Sequence, residues 1–150
     1  MLMSLDMTVT KDLIETLEDG KNGFATAAEK LAESDKPQIA TKFRQYSSQR
    51  AQFAEELRSM AKNYGDDIEE SGSVAAALHR GWMAIKDAAT GSDAGAVLDV
   101  AEQGEDHAVA EYERALDNDE LSIDLRDVIE RQYASVKAAH DEVRALRDSN

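Results

Sequence analysis

The sequence predicts an all-α protein made of four long helices and one shorter one. Three observations carry this reading: a single proline and 5% aromatic residues in 150, abundant Ala, Glu, Leu and Lys, and apolar residues that recur at three- and four-residue steps. At this length one domain is expected, spanning residues 1–150, with roughly 70% of the unfolded surface buried.

The first helix is expected over about residues 10–33, with Thr10 as N-cap, Asp12 in the first turn, and Leu13, Leu17, Gly20, Phe24, Ala27 and Leu31 on its buried stripe. The turn Ser34-Asp35-Lys36-Pro37 leads into a second helix over about 37–64, because proline in a first turn lacks only a donor that would be unused there. Its stripe is Ile39, Phe43, Tyr46, Arg50, Phe53, Leu57, Met60 and Tyr64. GDDIEESG, at 65–72, reads as an acidic loop between glycines. Ser73 then caps a shorter helix over about 73–89, with Val74, Leu78, Trp82 and Ile85 on one face. A third long helix, about 93–117, starts at Ser92 or Asp93 and turns Val97, Ala101, Glu105, Ala108, Tyr112 and Ala115 inward. Ser122 caps the last one, about 122–148, with the stripe Leu125, Ile129, Gln132, Val136, Ala139, Val143 and Leu146.

Loop lengths select the topology. Tight turns make the first and second helices, and the third and fourth, antiparallel neighbours. Between the second and third lie 28 residues, and the 17-residue helix inside them can return ~25 Å along the bundle. The second and third long helices are then parallel, as in a ferritin-like four-helix bundle with one long crossover. A five-helix up-down bundle is the rival arrangement.

Composition excludes several function classes. Without cysteine there are no disulfides and no thiolate metal sites. Thirty-one acidic against 17 basic side chains repel phosphate backbones and anionic lipid, so neither nucleic acid nor a membrane is expected as a partner. The start MLMSLDMTVT lacks the basic region and apolar core of a secretion signal, and no apolar run approaches ~20 residues, so a cytoplasmic protein is expected. The charge is unevenly placed: residues 99–120 hold nine acids against one arginine, whereas 37–64 hold five basic residues against two acids.

Each long stripe is interrupted near its middle by Gly20 or the neighbouring Glu18, by Arg50, by Glu105 and by Gln132. Counted from the helix starts, these fall within about one turn of the bundle midpoint. In ferritin-like di-iron proteins that level holds a Glu from each of two helices and Glu-x-x-His from the other two. Here the second helix reads Gln49-Arg50-Ala51-Gln52 and the fourth Glu130-Arg131-Gln132-Tyr133. A guanidinium opposes cation binding yet fits a carboxylate through two parallel hydrogen bonds. The expectation is therefore a buried polar layer of Arg50 with Glu105, joined by Gln132 and Glu18, and no cofactor. The alternative is iron or another divalent metal held by Glu18, Glu56, Glu105 and His140.

His79 and Trp82 are expected to anchor the crossover helix, and His107 to face outward. No nucleophile elbow, phosphate-binding glycine loop or His-Glu-x-x-His is present, so no catalytic residue is assigned.

Several blocks together resemble a known family: LIETLEDGKNGF at 13–24, RAQFAEEL at 50–57, GSVAAALHRGWMAIK at 72–86, GEDHAVAEYERAL at 104–116, and Gln132 through His140-Asp141. They are similar to the bacterial ferritin-like four-helix-bundle family of unknown function, whose members are small stand-alone proteins mostly from proteobacteria, with an architecture like ferritins and rubrerythrins. The resemblance spans about residues 10–147 and implies the fold, with Arg50, Glu105, Gln132 and His79 at motif positions. It supplies no substrate, and it associates relatives with stress response only by context. The functional expectation is a non-enzymatic interaction or scaffold protein, with a homo-oligomer as the expected assembly. The alternative is a di-iron-type protein handling iron, oxygen or peroxide.

Overall fold

The computed structural model describes residues 4–63 and 93–149; the expected crossover helix at about 73–89, with His79 and Trp82, lies outside the described residues. Four helices form the described part: α1 (Ser4–Ala32), α2 (Ile39–Asn63), α3 (Ala94–Leu116) and α4 (Ile123–Asp148). No strand occurs among the described residues.

Every residue of the expected α1, α3 and α4 stripes is buried except Leu146, which is partly covered. α1 begins at Ser4, six residues before the expected Thr10 cap. Leu5 and Val9 extend the four-residue step of Leu13 and Leu17 backwards and pack on the same core, so the helix gains apolar burial by starting early. Thr10 lies inside it with a buried, unpartnered hydroxyl. Asp93 caps α3, its side chain accepting from the Ala96 N–H. Ser122 precedes α4 without capping through its side chain; its own N–H is bound by Oδ1 of Asp6 at 3.2 Å.

Two tethers define the topology. At one end, Oδ1 of Asp35 in the α1–α2 turn accepts the Ala94 N–H where α3 begins, at 3.3 Å. At the other, Asp6 near the start of α1 holds the α3–α4 turn at Ser122. Hence α2 and α3 start at the same end and run in the same direction, while α1 and α4 run against them.

The core divides at mid-height into two apolar clusters. Phe24, Leu31, Phe43, Val97, Leu98 and Val143 fill the end nearest the α1–α2 turn. Leu13, Leu17, Leu57, Tyr112, Leu125 and Ile129 fill the other. Position 20 in α1, 50 in α2 and 105 in α3 fall between the two.

Candidate functional site: a buried polar core

Arg50 and Glu105 meet at that mid-height from parallel helices. Nη1 of Arg50 donates to Oε2 of Glu105 at 2.7 Å and Nη2 to Oε1 at 2.5 Å, with the side chains 1% and 0% exposed. This two-pronged contact satisfies both carboxylate oxygens with one planar group. The ring of Phe24 lies 5.1 Å from the guanidinium carbon, adding a cation–π contact. Burial works against the charge on Arg50, and the carboxylate of Glu105 outweighs it, raising the pKa above the usual arginine value.

Glycine at position 20 makes the room. A Cβ there would stand 3.2 Å from Nη1 of Arg50 and 3.5 Å from its Cγ, so any side chain at this position would crowd the arginine.

Gln132 and Glu18, expected at the same level, stand in separate groups. Gln132 accepts from the Tyr112 hydroxyl at 2.7 Å and donates to Oε1 of Glu56 at 2.9 Å and to the Phe53 carbonyl at 3.3 Å. Glu56 is also paired with Arg131, which carries this second tier out to the surface between α2 and α4. Glu18 binds Arg58 and Lys21, each at 2.7 Å. Burial favours its protonated form, but the hydrogen bonds from Lys21 and Arg58 prevail and hold its carboxyl below the usual range.

The reason for the split is an offset between helices. Contacts between α3 and α4 run Tyr112 to Gln132, Glu113 to Tyr133, Asp106 to His140 and Glu102 to Arg144. The part of α4 level with Glu105 is therefore Ala139–His140, two turns beyond Gln132. Counting from each cap assumes flush ends, whereas the start of α4 reaches past the end of α3 to meet the early turn of α1.

The four residues of the alternative metal set are not brought together. Glu105 faces Arg50, Glu18 faces Arg58 and Lys21, and Glu56 faces Arg131 and Gln132. His140 is buried at 4% exposure and contacts Asp106 and Asp141. His107 points outward with its side chain 60% exposed.

Residues 7–118 match a family model described as Domain of unknown function (DUF2383). The chain belongs to that family. Among curated proteins nothing matches it. The DUF2383 match takes in α1 from residue 7, α2 and α3 with Gly20, Arg50, Glu105 and Tyr112, and stops in the turn before α4, so Gln132 and His140 fall outside it. The ion pair is thus contained in the matched region.

Sequence reasoning missed the partners of Gln132. Tyr112 stood on the α3 stripe as an apolar residue, and its hydroxyl is the signal that a buried acceptor must lie opposite. Glu56 and Arg58 flank the α2 stripe, where periodicity alone cannot tell a solvated charge from a paired one.

Proposed function

We propose that this chain is a ferritin-like four-helix bundle that acts by interaction or scaffolding in the cytoplasm, with a buried ion pair in place of a metal centre. The observation that carries the reading is Arg50 itself: a guanidinium at mid-height between α2 and α3, both prongs on Glu105, where a bundle of this connectivity would put carboxylate ligands. The shared direction of α2 and α3 supports the ferritin-like connectivity, and the second tier around Gln132 and Tyr112 fixes the register of α4 against them. Such a layer specifies one packing of four amphipathic helices and supplies no open coordination position, nucleophile or acid–base pair.

Two measurements on the same preparation test it. Protein from cells supplemented with iron and manganese is expected to carry no metal that depends on the mid-height pair, and light scattering is expected to give a mass above that of the monomer. Near-stoichiometric metal that disappears in the Arg50→Met/Glu105→Leu variant, with the helices intact, would overturn the reading in favour of a di-iron-type protein.

A further inference from the structure

We infer that Glu102, Asp106 and His140 form a binding site for one divalent first-row transition-metal ion, on the flank of α3 and α4 and apart from the mid-height pair. Glu102 and Asp106 are one turn apart on α3, and His140 reaches them from α4. One ligand atom from each lies within 4.8 Å of the others. Nε2 of His140 stands 2.6 Å from Oδ1 of Asp106 and 3.9 Å from Oε1 of Glu102. Ligand atoms around a tetrahedral ion bonded at 2.0–2.2 Å are about 3.3–3.6 Å apart, a spacing that lies between these two distances.

Three further features set this group apart from a surface acidic cluster. Glu102 and His140 are 5% and 4% exposed, so two of the three ligands are already withdrawn from water. Two of the three ligands are also held from behind: Arg147 takes the other carboxylate oxygen of Glu102 at 3.0 Å, and Oδ1 of Asp141 lies 3.0 Å from Nδ1 of His140. With Nδ1 on Asp141, Nε2 is the ring nitrogen aimed at Asp106, the carboxylate–imidazole orientation that metal-binding histidines use. At 2.6 Å a lone pair and a carboxylate oxygen need a proton or a cation between them.

Arg144 is the cation that competes for this position. Its Nη2 lies 3.3 Å from Oε1 of Glu102, 3.5 Å from Oδ1 of Asp106 and 3.5 Å from Nε2 of His140. A cationic nitrogen thus occupies the point nearly equidistant from all three ligand atoms. Arg144 is half exposed and can withdraw into solvent. On binding, the metal replaces the guanidinium and the proton between His140 and Asp106 passes to water, leaving a fourth position for a water molecule. One imidazole and two carboxylates suit zinc, iron or manganese better than calcium or magnesium.

The inference stands independently of the mid-height reading, and the experiment separates the two. Full-length protein stripped with chelator is titrated with Zn²⁺ against a chromophoric competitor, with helical content checked by circular dichroism. One ion per chain is expected, weakened at least ~10-fold by His140→Gln and by Asp106→Asn, tightened by Arg144→Ala, and unchanged in Arg50→Met/Glu105→Leu. Asp106 and Arg144 are half exposed, so their variants decide the matter even if His140→Gln does not fold. Absence of one-to-one binding, one-to-one binding that Asp106→Asn leaves within twofold, or weaker binding in Arg144→Ala would each overturn it.

Discussion

Gly20 and Arg50 are matched in size: the missing side chain of one is the space taken by the other, with Nη1 only 3.2 Å from where a Cβ would stand. Alanine in a helix interior normally gains about 1 kcal/mol over glycine. Here both prongs on Glu105 oppose the few tenths of an ångström by which Arg50 would have to shift. Gly20→Ala is expected to yield no gain in the native background and to recover about 1 kcal/mol in Arg50→Met/Glu105→Leu, a coupling measurable by denaturant titration of the four chains.

The ion pair itself should behave as a unit. Arg50→Met leaves Glu105 buried without its counter-charge and is expected to lose about 3–5 kcal/mol. The double variant Arg50→Met/Glu105→Leu removes both charges and should recover most of that loss. Equal melting of single and double variants would contradict this account.

Tyr112→Phe deletes the donor to Oε1 of Gln132 and leaves a buried acceptor unmet, for an expected loss of about 1–3 kcal/mol. Tyr112→Phe/Gln132→Leu should lose less than the two single variants added together, because Gln132 then leaves no unmet acceptor. Chemical denaturation of the three variants checks the shortfall.

Asp19 gives the fold a pH dependence. Burial, with Oδ1 unpartnered, pushes its carboxyl up to about 7 from 3.8. The folded chain therefore keeps a proton that the unfolded chain releases near pH 4, and this group's contribution to stability falls as pH rises from about 4 to 7. Asp19→Asn should flatten that slope and stabilise the protein by about 2 kcal/mol at pH 8, as read from melting at a series of pH values.

The parts of this structure that sequence made legible are those that follow from periodicity. The stripes of α3 and α4 and the meeting of Arg50 with Glu105 depend only on the helical repeat and on two charges that interrupt it at similar depth. The early start of α1 was legible in Leu5 and Val9 but masked by the capping preference of Thr10, which apolar burial overrode. Levels across helices were not legible, because they depend on how far α4 overhangs α3, a tertiary quantity that moved Gln132 two turns away from Glu105. The grouping of His140 with Glu102 and Asp106 needs the same offset, and a sequence without it leaves them as unrelated charges.

The separation of the ion pair along the chain also bears on synthesis. α1 and α2 are adjacent and can associate while the ribosome is still making α3, yet Glu105 emerges 55 residues after Arg50. At 5–20 residues per second that interval is roughly 3–11 s. Until then Arg50 lacks the carboxylate that offsets its burial, so the mid-height layer closes only when α3 docks.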